Sequence, residues 1–339
     1  MSSSRRASHA GSWYSDEGAV LNRQLTGWLA AASDPGAKDS HGAKPITGCK
    51  AIIAPHAGYS YSGPAAAYAY NSIDIAPISR VFVLGPAHHV YLNGCALSRC
   101  RSYATPVGEL PLDLDTISEL SETGKFEWMA RETDEDEHSI EMHLPYIRKV
   151  FEGRDIKLVP ILVGAISTSS EKSFGFLLAP YLADPATLFV VSSDFCHWGT
   201  RFRYTHFHPP HSSDLSLGRA LTVSNFNTTT KDVQGQVWRG IETLDKLGME
   251  CCAFSTAPAP PAAAKSPSAA HDQFATYLQQ TKNTICGRHP IGVLLGALSA
   301  LEEGGREMWC EWVRYEQSSR VASLRDSSVS YASAFVAFK

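Results

Sequence analysis

Short, unbroken apolar runs recur along the chain at Ala51-Ile52-Ile53-Ala54, Val81-Phe82-Val83-Leu84 and Leu188-Phe189-Val190-Val191, each followed by Pro, Gly, Ser or Asp. Runs of this length, apolar at successive positions, predict buried strands with loops at their ends. Further strands are expected at 157–162, 308–315 and 328–338. Between them the spacing turns helical: Val20, Leu21, Leu25, Trp28 and Leu29 share one face of a helix over 16–32 that stops before Ser33-Asp34-Pro35-Gly36. Ala65, Ala66, Ala67 and Ala69 mark a helix over 58–70 that can pack closely on a sheet, and helices are expected near 115–123, 136–150, 170–182, 236–247 and 290–303. The alternation of β and α predicts an α/β fold, with helices on a mostly parallel or mixed sheet.

A chain of 339 residues fits one large α/β domain or two smaller ones. Two stretches break the rhythm, 205–232 with His206, His208 and His211, and 257–270, rich in Ala, Pro and Ser; the second reads as a mobile surface loop. The pattern resumes after each, so neither reads as a hinge between domains. A hydrophobic share of 44%, a charged share of 19% and a formal charge of −4 describe an ordinary globular chain with no basic footprint, so no nucleic-acid partner is expected. No run is long enough to span a membrane, and the segment around Arg5-Arg6 lacks the apolar stretch of a secretory signal. The eight cysteines (49, 95, 100, 196, 251, 252, 286 and 310) contain no Cys-x-x-Cys pair, which points to reduced thiols in a cytoplasmic setting, a nuclear pool being compatible with it.

The candidate chemistry follows the strands. His56, His88-His89 and His197 each stand shortly after an apolar run, and in open α/β sheets ligands bind beyond the carboxyl ends of the strands. Convergent histidines suit a metal or proton-transfer site. Pro55 and Gly58 fix the first imidazole, and of the neighbours His88 and His89 only one is expected to face a given pocket. Taken singly, a strand-end histidine is more often a hydrogen-bonded structural residue; the near-identical context of His56 and His88 makes the pair stronger. Asp194, three residues before His197, either orients that imidazole or caps the following turn. Cys286 lies before a helix expected to begin at Pro290, where the dipole favours a thiolate; the other reading is an inert buried cysteine. Thr133 opens a capping pattern, and His138 and Glu141 share one face of the helix that follows. Arg201, Arg203 and Arg288 flank the His197 and Cys286 motifs and would suit a carboxylate or phosphate ligand, against a reading as surface charges.

Six segments taken together closely resemble the Memo family, named for mediating cell motility driven by an ErbB receptor: SHAGSWY at 8–14, APHAGYSYSG at 54–63, LGPAHHV at 84–90, TDEDEHSIEMHLPY at 133–146, VVSSDFCHWG at 190–199 and NTICGRHPIGVLL at 283–295. The resemblance covers nearly the whole chain. It implies one α/β domain over 1–339 with a central mixed sheet flanked by helices, related to the class III extradiol dioxygenases, with surface insertions at 33–47, 205–232 and 257–270. It also implies a metal-ligand set at His56, His88 and Cys286, with Asp194 and His197 lining the pocket as acid–base and supporting groups. In the dioxygenases a carboxylate stands where this chain has Cys286; a thiolate is softer and shifts preference toward copper(I), zinc or a differently tuned iron(II), which argues against catechol ring opening. The family further implies redox activity and signalling through phosphotyrosine-containing or acidic peptides. His41, His206, His208 and His211 fall in the insertions and are expected at the surface.

Overall fold

The apolar runs become the middle of a mixed sheet, which in this computed structural model is described over residues 4–33, 45–228, 235–256 and 265–339. Its strands are β1 (Cys49–Ala54), β2 (Arg80–Pro86), β3 (Cys95–Leu97), β4 (Phe126–Trp128), β5 (Lys157–Val163), β6 (Thr187–Ser192), β7 (Asp194–Trp198), β8 (Phe254–Ser255), β9 (Met308–Gln317) and β10 (Ser328–Phe338). Among the described residues their order is β8-β9-β10-β1-β6-β2-β5-β3-β4. The strands β1, β6, β2 and β5 run parallel, and β10 closes antiparallel on β1. That parallel centre explains the unbroken apolar runs, because both faces are covered and no position needs to be polar. Phe82 and Phe189, on neighbouring strands, stack with ring centroids 4.6 Å apart at 4°.

Helix Tyr59–Asn71 packs on β10, β1 and β9, and helix Gly18–Ala32 lies against it. Helices Thr168–Ala183 and Arg288–Ala300 pack on each other and against β6. One continuous core of buried side chains runs through all of these elements.

On the edge away from β9, strand β10 has two partners in succession. Its second half, Ala334–Ala337, pairs with β1, while Tyr331, Val329 and Ser328 pair with β7. The chain leaves β6 at Ser192 and, one residue later, occupies the place beside β10 that β1 has vacated at Ala54. The sheet therefore forks where β1 ends, and a cleft opens there.

Three expectations need correction. The helix over 136–150 is two pieces, His138–Glu141 and Leu144–Val150, preceded by a separate helix Arg131–Asp136; Glu137 is extended, and its carboxylate, not Thr133, caps by accepting the Ser139 N–H. The loop over 257–270 ends inside a helix, Pro267–Thr281, whose first turn is built by Ser266 as side-chain cap and Pro267 at the first position, the arrangement that favours a helix start. Residues 257–264 and His41 lie outside the described residues. His208 is not at the surface: it is fully buried, its Nε2 paired with the Ser212 carbonyl at 2.8 Å, and His206 is half-buried, stacked on Tyr204, while His211 is exposed.

Candidate metal centre at the strand ends

Because β1, β6 and β2 are adjacent, the residues just past their ends meet. His56 follows β1, His88 follows β2, and Ser192 closes β6. The short helix His138–Glu141 docks onto the end of β2, where Ser139 Oγ donates to the Pro86 carbonyl at 2.8 Å. A Cβ on Gly85 would sit 2.5 Å from Ser139 Oγ, so glycine is what lets the helix approach. The helix adds a third ring, His138, stacked on His88 with centroids 4.4 Å apart and 5.4 Å from that of His56. His56, His88 and His138 each offer a ligand atom, all within 4.8 Å of one another.

Hydrogen bonds fix two of these rings. Ser192 Oγ donates its single proton to the Ser139 carbonyl at 2.7 Å, so at 2.6 Å from His56 Nδ1 it accepts. His56 is therefore protonated on Nδ1 and keeps its Nε2 lone pair free. Glu137 does the same for His88: Oε1 lies 2.9 Å from Nδ1, and Oε2 accepts the His88 backbone N–H at 2.7 Å. Burial would raise the Glu137 carboxyl, but the His88 contacts outweigh it and hold it down at about 2. A carboxylate or hydroxyl behind an imidazole is the usual support of a metal-binding histidine. Burial, together with the other imidazoles, keeps His56 well below its ordinary value and lowers His138 to about 3, so both are neutral and have lone pairs to give.

Cys286 Sγ lies 3.2 Å from His56 Nε2 and accepts the Asp194 backbone N–H at 3.2 Å. Contrary to the dipole argument, burial and the Asp194 carboxyl push the thiol well above its ordinary value, and the helix begins at Arg288, two residues on. The Cys286 S–H thus faces the free lone pair of His56. Asp194 does not orient His197. Its buried carboxyl accepts the backbone N–H of His56 at 2.9 Å and of Ala57 at 3.3 Å, holding the chain where it leaves β1, and burial raises it to about 7. The His197 backbone is clamped by Thr284, and burial lowers its ring to about 4. Its Nε2 is buried with no hydrogen-bond partner among the described residues.

His56, His88, His138, Asp194 and His197 line a cleft of about 590 Å³ that also takes in Trp13 and Arg201, whereas Cys286 lies beside His56 and is not among the lining residues. Of the three arginines, Arg201 lines it, Arg203 is exposed with a left-handed backbone, and Arg288 faces another cavity beside Glu171 and His289. His88 lines the cleft and His89 does not, so one of the two faces the pocket as expected. Sequence reasoning placed His138 and Glu141 on one face, but they part company. His138 reaches the cleft, whereas Glu141 is buried and tied to Arg5, His9 and Tyr14. Trp13, whose ring lies tilted at 34° and 4.4 Å from that of His138, was missed; the SHAGSWY segment that carries it gave the only signal.

A family model described as Memo-like protein matches residues 5–335. The chain belongs to the Memo family. Protein MEMO1 of Xenopus laevis is 47% identical over 97% of this chain and 95% of its own length, and Protein MEMO1 of Homo sapiens is 45% identical with the same coverage. Protein memo-1 homolog of Caenorhabditis elegans is 40% identical over 97% of this chain and 81% of its own. The matched span takes in every Memo residue of the cleft described above.

Proposed function

We propose that this Memo-family protein binds a redox-active metal ion, iron(II) or copper(I), through His56, His88 and Cys286, and works in redox and metal homeostasis that feeds signalling to cell motility. The observation that carries the reading is the convergence of His56, His88 and His138 at the strand ends, two of them held by hydrogen bonds to Nδ1, with the Cys286 thiol 3.2 Å from His56 Nε2. The residues fit such an ion: two nitrogens and a sulfur suit copper(I), zinc or iron far better than magnesium or calcium. When bound, the ion would supply one-electron redox chemistry.

The chain's own groups do the rest. Ser192 and Glu137 aim the imidazoles, and Cys286 gives up its proton as a ligand, which makes uptake pH-dependent. His197, with its unpaired Nε2, accepts or delivers a proton inside the cleft. No helix of the described residues is long and apolar enough to cross a membrane. The test is to purify the chain without tag histidines, quantify iron, copper and zinc, and compare His56→Ala and Cys286→Ser. Metal content unchanged in both would overturn the reading.

A second reading is recognition of a phosphotyrosine-containing or acidic peptide, and one observation favours it: Arg201 is exposed at the wall of the same cleft. Titration with phosphorylated and unphosphorylated peptides decides it, and equal affinities would exclude phosphate recognition.

A further inference from the structure

We infer that His138 is a ligand to the same ion, so that the centre presents three imidazoles and not two. The inference rests on the metal reading above and adds a residue to it. The ligand atoms of His56, His88 and His138 lie within 4.8 Å of one another. Nitrogens bound at about 2.1 Å stand roughly 3.0–3.4 Å apart around one ion. The rings therefore need to close by about an ångström or so, within the reach of side-chain torsions.

His138 is also built like a ligand. Its Nδ1 comes within 3.5 Å of the Glu137 carboxylate that holds His88, without hydrogen bonding to it, and the two rings lie stacked at 25°. Trp13 covers it at 4.4 Å, which limits its rotamers. Its Nδ1 is buried without a hydrogen-bond partner among the described residues. A purely structural imidazole at this depth would be expected to find one. The position is fixed by the break in the helix at Glu137: a continuous helix over 131–141 would deny Glu137 the extended backbone from which its carboxylate holds His88 and caps the helix that carries His138.

Two imidazoles and a thiolate also leave a tetrahedral ion one protein ligand short, and a third imidazole fills that place. The set becomes a three-histidine face with Cys286 Sγ beside His56 Nε2. Such a face holds the ion even while the thiol stays protonated, so occupancy does not depend on Cys286 alone.

Cobalt(II) serves as the probe, added to the purified full-length chain after chelation. Hyperfine-shifted histidine ring protons count the bound imidazoles; three are expected in the parent and two in His138→Phe, a variant that keeps a ring against Trp13. Competition with a chelator should show cobalt(II) affinity at least tenfold weaker in His138→Phe. Two shifted rings in the parent, or a His138→Phe chain with parental affinity while His56→Ala binds weakly, overturns the assignment of His138. A His56→Ala chain that binds as tightly as the parent overturns instead the metal reading on which the assignment rests. Should His138→Phe fail to fold, the ring count in the parent decides alone.

Discussion

Replacing Glu141 by glutamine tests how the segment that carries Trp13 is held. Glu141 is fully buried and accepts hydrogen bonds from Arg5 Nη1 at 2.6 Å, Tyr14 Oη at 2.7 Å and the His9 backbone N–H at 2.9 Å, with His9 Nδ1 at 2.8 Å. Burial alone would raise its carboxyl, but His9, Arg5 and Tyr14 outweigh that and bring it from its ordinary 4.5 to about 2. At about 1.4 kcal/mol for each tenfold of proton affinity, this corresponds to about 3 kcal/mol of stability. Removing one partner of a buried ion pair costs about 3–5 kcal/mol, which agrees. Because the folded-state value is depressed, the contribution is complete above about pH 4.5 and is lost as pH falls from there through about 2. Equilibrium urea unfolding at neutral pH should show the Glu141→Gln midpoint lowered by about 1 M, taking a slope of about 3 kcal/mol per molar. The gap between parent and variant should shrink as the pH is taken down from 5 to 3. A midpoint lowered by less than about 0.3 M, or a gap independent of pH, would refute the reasoning.

Ser192→Ala removes the acceptor that fixes the His56 tautomer and should weaken metal affinity by roughly tenfold, with the midpoint of thermal unfolding lowered only slightly; chelator competition measures it. Gly287→Ala would place a Cβ 2.2 Å from the Ser192 carbonyl oxygen and 2.3 Å from Ser193 Cβ, so it should cost about 1–3 kcal/mol in urea unfolding and displace Cys286. Phe189→Ala opens a cavity against Phe82 at the centre of the parallel strands, with an expected loss of about 3–5 kcal/mol and metal content per folded molecule unchanged.

The parallel centre was legible because a strand buried on both faces is apolar at every position, and β1, β2, β5 and β6 all announce themselves that way. β3 and β4, three residues each, carry too few positions for a pattern, and β7 hides in a motif whose side chains are chosen for the cleft. His56 and His88 were visible as strand-end residues; His138 was visible only as a partner of Glu141 on one helix face, and the break at Glu137 with a helix of just four residues sends the two to different places. The partner of Asp194 was misjudged for a similar reason. His197 is its neighbour along the chain, but the fork in the sheet brings it the backbone of His56 and Ala57, 138 and 137 positions away. Arg5, deeply buried among carboxylates from 134 to 141, looks from sequence like one of two loose terminal charges.

The double pairing of β10 has a bearing on the order in which the molecule is made. Residues 328–331 form the strand against which β7 lies, and 334–337 complete the edge of β1, so the fork that opens the cleft has no wall until that late segment inserts between β9 and β1. Contacts of such long sequence separation form slowly. A chain cut before residue 328 keeps all the imidazoles of the centre but has no fork to gather them, so under the function proposed above it should take up no metal.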